Sequence, residues 1–485
     1  MQFMISQTIS NDWVFFGFFL IGIIFLIGMS GFLLKLHFIS ANASRIFVHV
    51  FVGIACSLSP FLFENNSQPV LLGFIFLSLN LIALKINIFK GIHSQDRNSY
   101  GTIYFPMAYL IMATFFWEYT FFLIISLSIL SIADPIATIV GKSISNPVII
   151  KIGDDNKSIQ GSAAMLFCSG IIIYCWSSIL FPNGNNISTI IFIILTAGMA
   201  TIAEMISFRG SDNLSIPLLS FFTMHSLTIK DPYFEIMFLC ILFVFVVAFN
   251  LKMITTSGFF GAIAMGFLIA TYGSYKYLAP IGVFFILSSI LSKIFPDKSN
   301  EIKRGSKRDI IQVFANGGIP LLLCIINAFT KYDSMIYLLF LSSVAAATAD
   351  TWATELGKLS RRNPVSIVNF QVMEPGLSGG ITIIGTIGSL MGASVIGLIG
   401  LIIGLQIYDI YGIIIIGFIS GILDSVLGAT LQAKYQTKHG KIVEYRHQGE
   451  YLVSGYHWMN NDLVNLLNTA SAPLLMYLYI QLINL

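Results

Sequence analysis

The chain has 485 residues, 56% of them hydrophobic and only 10% charged, with a formal net charge of +3. Soluble domains carry about 25% charged residues. This composition, with a mean hydropathy of +0.83, argues against a soluble core, and so small a net charge does not suggest a nucleic-acid partner.

Apolar runs of helix-spanning length fall at 13–35, 46–63, 69–89, 101–117, 119–140, 162–182, 186–207, 232–250, 255–272, 275–295, 309–329, 334–357, 380–404, 410–432 and 463–483. They predict an all-α multi-pass membrane protein with about fifteen transmembrane helices, the short ones candidates for re-entrant segments. The first run lacks a basic leader and is too long for a cleavable signal, so none is expected. The five cysteines, Cys56, Cys168, Cys175, Cys240 and Cys324, lie in apolar stretches without Cys-x-x-Cys spacing, which predicts neither disulfides nor a zinc site.

Basic residues gather between the runs. The clusters are Lys85, Lys90 and Arg97; Lys142, Lys151 and Lys157; Lys293, Lys298, Lys303, Arg304, Lys307 and Arg308; Lys358, Arg361 and Arg362; and Lys434, Lys438, Lys441 and Arg446. By the positive-inside rule these loops face the cytoplasm of a bacterial inner membrane or its equivalent.

Two acids stand just before such loops. Ala133-Asp134-Pro135-Ile136-Ala137-Thr138-Ile139-Val140-Gly141 and Ala349-Asp350-Thr351-Trp352-Ala353-Thr354-Glu355-Leu356-Gly357 share Ala, Asp, Ala, Thr and Gly at the same five places. Further on, Gly161 aligns with Gly379, and Glu204 with Asp424. The offsets are 216, 218 and 220 residues. Colinear features of this kind predict internal duplication into two related tandem bundles, 1–232 and 233–485.

A carboxylate deep in a bilayer costs roughly 2.5–3.5 kcal/mol on insertion scales, so it is rarely there without a partner or a task. Asp134 precedes Pro135, which disfavours αR for Asp134 and suits the first position of a helix. Asp134 therefore reads as the cap of a new helix inside a membrane segment, next to a polar cavity. Thr138 and Gly141 share its face, as Thr354 and Gly357 share that of Asp350, while Glu355 lies off it and reads as facing the loop. Gly161 and Ser162 after Lys157, and Ser378, Gly379 and Gly380, are small residues whose backbone N–H groups can approach a phosphate. Glu204 and Asp424 offer a second carboxylate in each half, with Asp212 and Glu355 nearby. One or two carboxylates plus substrate phosphates satisfy Mg2+. Arg45 and His49 lie one turn apart on one helix. Gly141-Lys142-Ser143 is not a Walker A motif, because Ile136 stands where its first glycine is needed.

The first half resembles the dolichol kinase and phytol kinase family of CTP-dependent polyprenol kinases. The resemblance rests on Arg45–His49, Ser99–Pro106, Ala133–Gly141, Lys157–Ser162, Glu204 and Asp212–Pro217; that family usually has Lys where Ile46 stands. The second half resembles the family that includes the phytyl-phosphate kinase of tocopherol synthesis, through Gln312–Gly318, Ala349–Gly357, Gly376–Thr382, Gly421–Gln432 and Asn460–Asn465. The resemblance implies an isoprenoid alcohol, such as phytol or geranylgeraniol, phosphorylated with CTP in the first half, and the monophosphate raised to the diphosphate in the second. Mg2+ would be held by Asp134, Glu204, Asp212, Asp350, Glu355 and Asp424. Asp134, Asp350, Glu204 and Asp424 would carry catalysis. Asn213, Asn316, Asn461 and Asn465 would join Thr138, Gly141, Lys157, Gly161, Ser162, Thr354, Ser378, Gly379 and Gly380 around nucleotide and phosphate. A lipid cytidylyltransferase, releasing pyrophosphate, and a transporter with repeated halves remain the alternatives.

Overall fold

A computed structural model describes residues 8–86, 100–152, 155–180, 187–229, 231–296, 307–330, 334–437, 440–444 and 450–483. Lys90, Arg97 and Ser99, together with Lys298, Lys303, Arg304, Lys438 and Arg446, lie outside the described residues. Among those described, twelve helices are long and apolar enough to cross a membrane, and two shorter apolar helices, Gly101–Phe115 and Phe234–Asn250, accompany them. The chain divides into two compact units, Met1–Thr228 and Ile229–Leu485.

In the first unit, α1 (Thr8–Lys35), α2 (Ala41–Leu58), α3 (Ser67–Lys85) and α4 (Gly101–Phe115) lead into α5 (Thr120–Ser128). A single π-turn, Ile129–Ala133, joins α5 directly to α6 (Asp134–Ser143). The hairpin of β1 (Ile149–Ile152) and β2 (Asp155–Ser158) follows, then α7 (Ile159–Leu180), α8 (Ile187–Ile206) and α9 (Asp212–Ile229). The core of this unit is Ile125, Ile129, Leu130, Ala133 and Ala137, buried against Met165 of α7, Ala200 and Ala203 of α8, and Ile216 and Met224 of α9.

The sequence reading of Asp134 as the cap of a new helix is corrected here. Asp134 is in αR (φ −62°, ψ −48°), and no side-chain cap bond is made at this junction. The helix runs on through a π-turn instead. Pro135 has no N–H to give, so the ladder is relieved by one wider turn, in which the Asp134 N–H bonds Ile129 O. Leu130 O is left over and is taken by His49 Nε2 at 3.0 Å. The acceptor is a carbonyl, so this nitrogen carries the hydrogen.

In the second unit, α10 (Phe234–Asn250) precedes α11 (Thr256–Ile294), which bends at Ser274, where φ is 57° and ψ −164°. Then come α12 (Ile310–Phe329) and α13 (Ser334–Gly357), a short hairpin of β3 (Val365–Ser366) and β4 (Gly380–Ile381), α14 (Ile383–Ile403) and α15 (Ile407–Thr430). A three-stranded sheet of order β6-β5-β7, made of β5 (Lys434–Gln436), β6 (Ile442–Val443) and β7 (Tyr451–Ser454), separates α15 from α16 (Asn461–Ile483).

The element order that follows each repeated-frame acid begins alike in both units, acid-bearing helix, hairpin, two helices; the third helix follows directly in the first unit and only after the three-stranded sheet in the second. The crossing of the first two helices is also the same in detail. A Cβ on Gly161 would lie 3.0 Å from Ala137 O and 3.4 Å from Gly141 Cα, and one on Gly385 would lie 3.0 Å from Ala353 O and 3.5 Å from Gly357 Cα. Ser158 Oγ accepts from the Gly161 N–H as Thr382 Oγ1 accepts from the Gly385 N–H. The structural counterpart of Gly161 is therefore Gly385, not Gly379. The extra residues of the β3–β4 hairpin account for the difference.

Candidate active sites

The first site is built where α6, β2, α8 and α9 meet. Lys157, on β2, donates to Glu204 Oε1 at 2.7 Å and to Asp212 Oδ2 at 3.4 Å. Ser162 Oγ, one turn into α7, donates to Glu204 Oε2 at 3.2 Å. Asp134 lies within electrostatic reach of Asp212, Lys157, Glu204 and Arg45, and its Oδ2 is 3.9 Å from His49 Nε2. Burial alone would pull the Lys157 ammonium down; Asp212, Glu204 and Asp134 outweigh it and hold it above its ordinary 10.5. Asn213 donates its side-chain N–H to Gly210 O at 3.2 Å and to Asp212 Oδ1 at 3.2 Å, and its own Oδ1 is buried with no hydrogen-bond partner among the described residues. The chain has thus gathered Asp134, Lys157, Ser162, Glu204, Asp212 and Asn213. Thr138 is half-buried one turn beyond Asp134, and Gly141 and Gly161 are spent on the close crossing of α6 with α7.

The second site lies between α13, α14 and α15. Asp350 and Asp424 are in side-chain hydrogen-bonding contact, and Asp424 Oδ1 is buried with no hydrogen-bond partner among the described residues. Small residues bring the helices this close. A Cβ would come within 2.8 Å of Trp352 O at Gly388, within 2.8 Å of Thr348 O at Gly392, and within 3.6 Å of Ala349 Cβ at Gly421. Two carboxylates in contact inside a protein require a shared proton or a cation between them.

Glu355 meets the loop at Lys358 but is otherwise turned into the bundle, towards α11. It is buried, accepts from Ser292 Oγ of α11 at 2.9 Å and pairs with Lys358 at 2.5 Å. Arg308 lies within electrostatic reach of Glu355, with its guanidinium over the Phe284 and Phe285 rings at 5.5 and 5.6 Å. Burial lowers Arg308 to about 10, with Glu355 opposing. Thr354 is exposed. Asn468 Nδ2 donates to Ala346 O at 3.5 Å, Ser343 Oγ to Thr469 O at 2.7 Å and Thr469 Oγ1 to Ala315 O at 3.1 Å. These bonds set α16 antiparallel to α13, so the turn holding Asn461 and Asn465 is level with Asp350. Asn316, on α12, donates to Gln312 O at 3.0 Å.

Two residues outside the expected set join this site. Glu444 accepts the Ser378 N–H at 2.5 Å, and Lys434 donates to Ser378 O at 3.0 Å. Glu444 is the lone acid in the basic stretch from Lys434 to Arg446. Among the described residues no group of three or more His, Cys, Asp or Glu side chains is placed to hold a metal ion. Any cation held here would have to take its remaining ligands from substrate oxygens and water.

A model of the family described as integral membrane protein DUF92 matches residues 239–472. An uncharacterised membrane protein of Methanocaldococcus jannaschii is 35% identical over 202 residues, which cover 41% of this chain and 84% of that protein. The chain belongs to the DUF92 family. The match takes in α13 to α15 and with them Asp350, Asp424 and the Ser378 loop. Protein PGR of Arabidopsis thaliana is 28% identical over 238 residues, 42% of this chain and 82% of that protein. Phytol kinase 1, chloroplastic, of the same plant is 26% identical over 204 residues, 38% of this chain and 66% of that protein. No solved structure matches the chain.

Proposed function

We propose that this DUF92 protein is an integral membrane isoprenoid kinase, whose first unit phosphorylates an isoprenoid alcohol with CTP and whose second raises the monophosphate to the diphosphate. The observation that carries the reading is the acid site repeated behind the same glycine crossing in both units. Similarity to a phytol kinase supports the reaction class.

The two sites differ as the two acceptors would require. An alcohol must lose a proton to become a nucleophile, and Asp134 is available as its acceptor, since Glu204 and Asp212 are engaged by Lys157. A phosphate monoester is already ionised and needs no base. Its problem is charge, and phosphoryl transfer is chiefly a matter of positioning and electrostatics. Lys157 serves the phosphoryl oxygens in the first unit. In the second, the Asp350–Asp424 pair, whose Asp424 Oδ1 has no hydrogen-bond partner among the described residues, fits Mg2+, which when bound would neutralise charge on the transferred group. Both sites would face the cytoplasm, where nucleotide is found.

The test uses purified membranes, labelled isoprenol or isoprenyl monophosphate, and CTP or ATP. Asp134→Asn should abolish alcohol phosphorylation and spare the second step; Asp350→Asn should do the reverse. Release of pyrophosphate in place of CDP would identify a cytidylyltransferase instead. Either variant keeping both activities at the normal rate overturns the assignment.

A further inference from the structure

The Pro375–Gly380 loop passes through left-handed backbone twice, at Gly376 (φ 90°) and Gly379 (φ 86°). It is seated hard on α15: a Cβ on Gly379 would lie 2.5 Å from Ala429 Cα, and one on Gly428 would lie 3.2 Å from Gly379 N. Between the two left-handed turns, the Ser378 N–H points out of the loop and is taken by Glu444, while Lys434 holds the carbonyl of the same residue. Glu444 is also within electrostatic reach of Asp424 and of Lys434. A carboxylate has been brought towards a buried carboxylate pair, which is unfavourable, to satisfy one amide that water or a hydroxyl could serve equally well. Such an amide beside a lysine is what an anion of higher charge would use.

The geometry points to an anion site at Ser378 N–H and Lys434 that takes a phosphate monoester or a nucleotide phosphate, and that Glu444 fills until the phosphate displaces it. This rests on the phosphate-handling reading of the second unit, and it adds an internal competitor to that reading. A phosphoryl group has three oxygens and up to two negative charges against the single charge of Glu444. It therefore outbids the carboxylate for the same amide and cation.

Full-length protein in detergent is titrated with inorganic pyrophosphate in one arm and dodecyl phosphate in the other, without turnover. Glu444→Ala should tighten binding about threefold or more, and Lys434→Gln should weaken it about tenfold. Glu444→Asp, one methylene shorter, should behave like Glu444→Ala and keeps the charge if the alanine variant folds poorly. Tightening in the pyrophosphate arm alone assigns the site to nucleotide, and in the dodecyl phosphate arm alone to the lipid phosphate. If neither Glu444 variant tightens either ligand, or both weaken it, Glu444 is a structural staple and the inference fails. Because no reaction is followed, this result stands apart from whether any isoprenoid is phosphorylated.

Discussion

Lys157 Nζ lies 2.7 Å from Glu204 Oε1, although the two residues are 47 positions apart. The first unit thereby carries its own cation among Asp134, Glu204 and Asp212. Removing it with Lys157→Met leaves buried carboxylates unpaired, which costs on the order of 3–5 kcal/mol. The variant should lose monodispersity at a clearly lower temperature in detergent, and Lys157→Met with Glu204→Gln should recover part of the loss. Unchanged melting of the single variant would show that the pair contributes nothing.

The pH dependence of that contribution follows from its direction. The Lys157 ammonium is held above its ordinary 10.5, despite burial, by Asp212, Glu204 and Asp134. A group raised in the folded state contributes stability in full below its unfolded value and loses it as pH rises through the folded value. The contribution of the Lys157 ammonium itself should therefore be retained up to about pH 10 and lost only above that, so the melting difference between wild type and Lys157→Met should not decay below about pH 10. A difference that decays between pH 7 and 9 would contradict it.

Helix crossings built on glycine give a sharper contrast. Gly385→Ala pushes a methyl to within 3.0 Å of Ala353 O, an overpacking that costs about 1–3 kcal/mol. Gly198, inside α8, has nothing within 4 Å of a Cβ, so Gly198→Ala should gain about 0.5–1 kcal/mol. Thermal melting of the two variants should move in opposite directions.

His49 is predicted to position Asp134. It takes the carbonyl that the π-turn frees, and its ring nitrogen stands 3.9 Å from the Asp134 carboxylate. His49→Ala should cost about 1–3 kcal/mol through the unsatisfied carbonyl, slow alcohol phosphorylation and shift its pH profile. Phosphorylation of the monophosphate should be unaffected. A variant that melts lower but keeps the alcohol-kinase pH profile would reduce His49 to a structural role.

Asp424→Asn relieves a carboxyl–carboxyl contact with Asp350 in which no basic side chain takes part among the described residues. Melting temperature should rise while the second activity is lost, as when a destabilised site is retained for function. Loss of both stability and activity would instead show that the Asp350–Asp424 contact is structural.

Several features could be found without a fold. Each apolar run corresponds to a helix or helix segment, because hydropathy is a local property; α11 alone absorbs two of them across the bend at Ser274. The helix α9 was missed for the same reason. Asp212, Asn213, Ser220, Thr223, His225 and Ser226 make it read as polar, yet the last four of these are buried within the first unit, where lipid does not set its composition. The backbone expected at Asp134 differs from the one observed: the bias against αR before proline is overridden by packing around a π-turn.

The sequence by itself determined that the chain lives in a membrane, where all of its apolar helices run, α9 apart, and that an acid-bearing frame occurs twice. These follow from hydropathy and short-range pattern. Only the tertiary structure decided which polar groups meet: Lys157 with Glu204 and Asp212, Glu444 with Ser378 across 66 residues, Asp350 with Asp424. Those meetings depend on how closely glycine-faced helices approach, and no spacing along the chain encodes that distance.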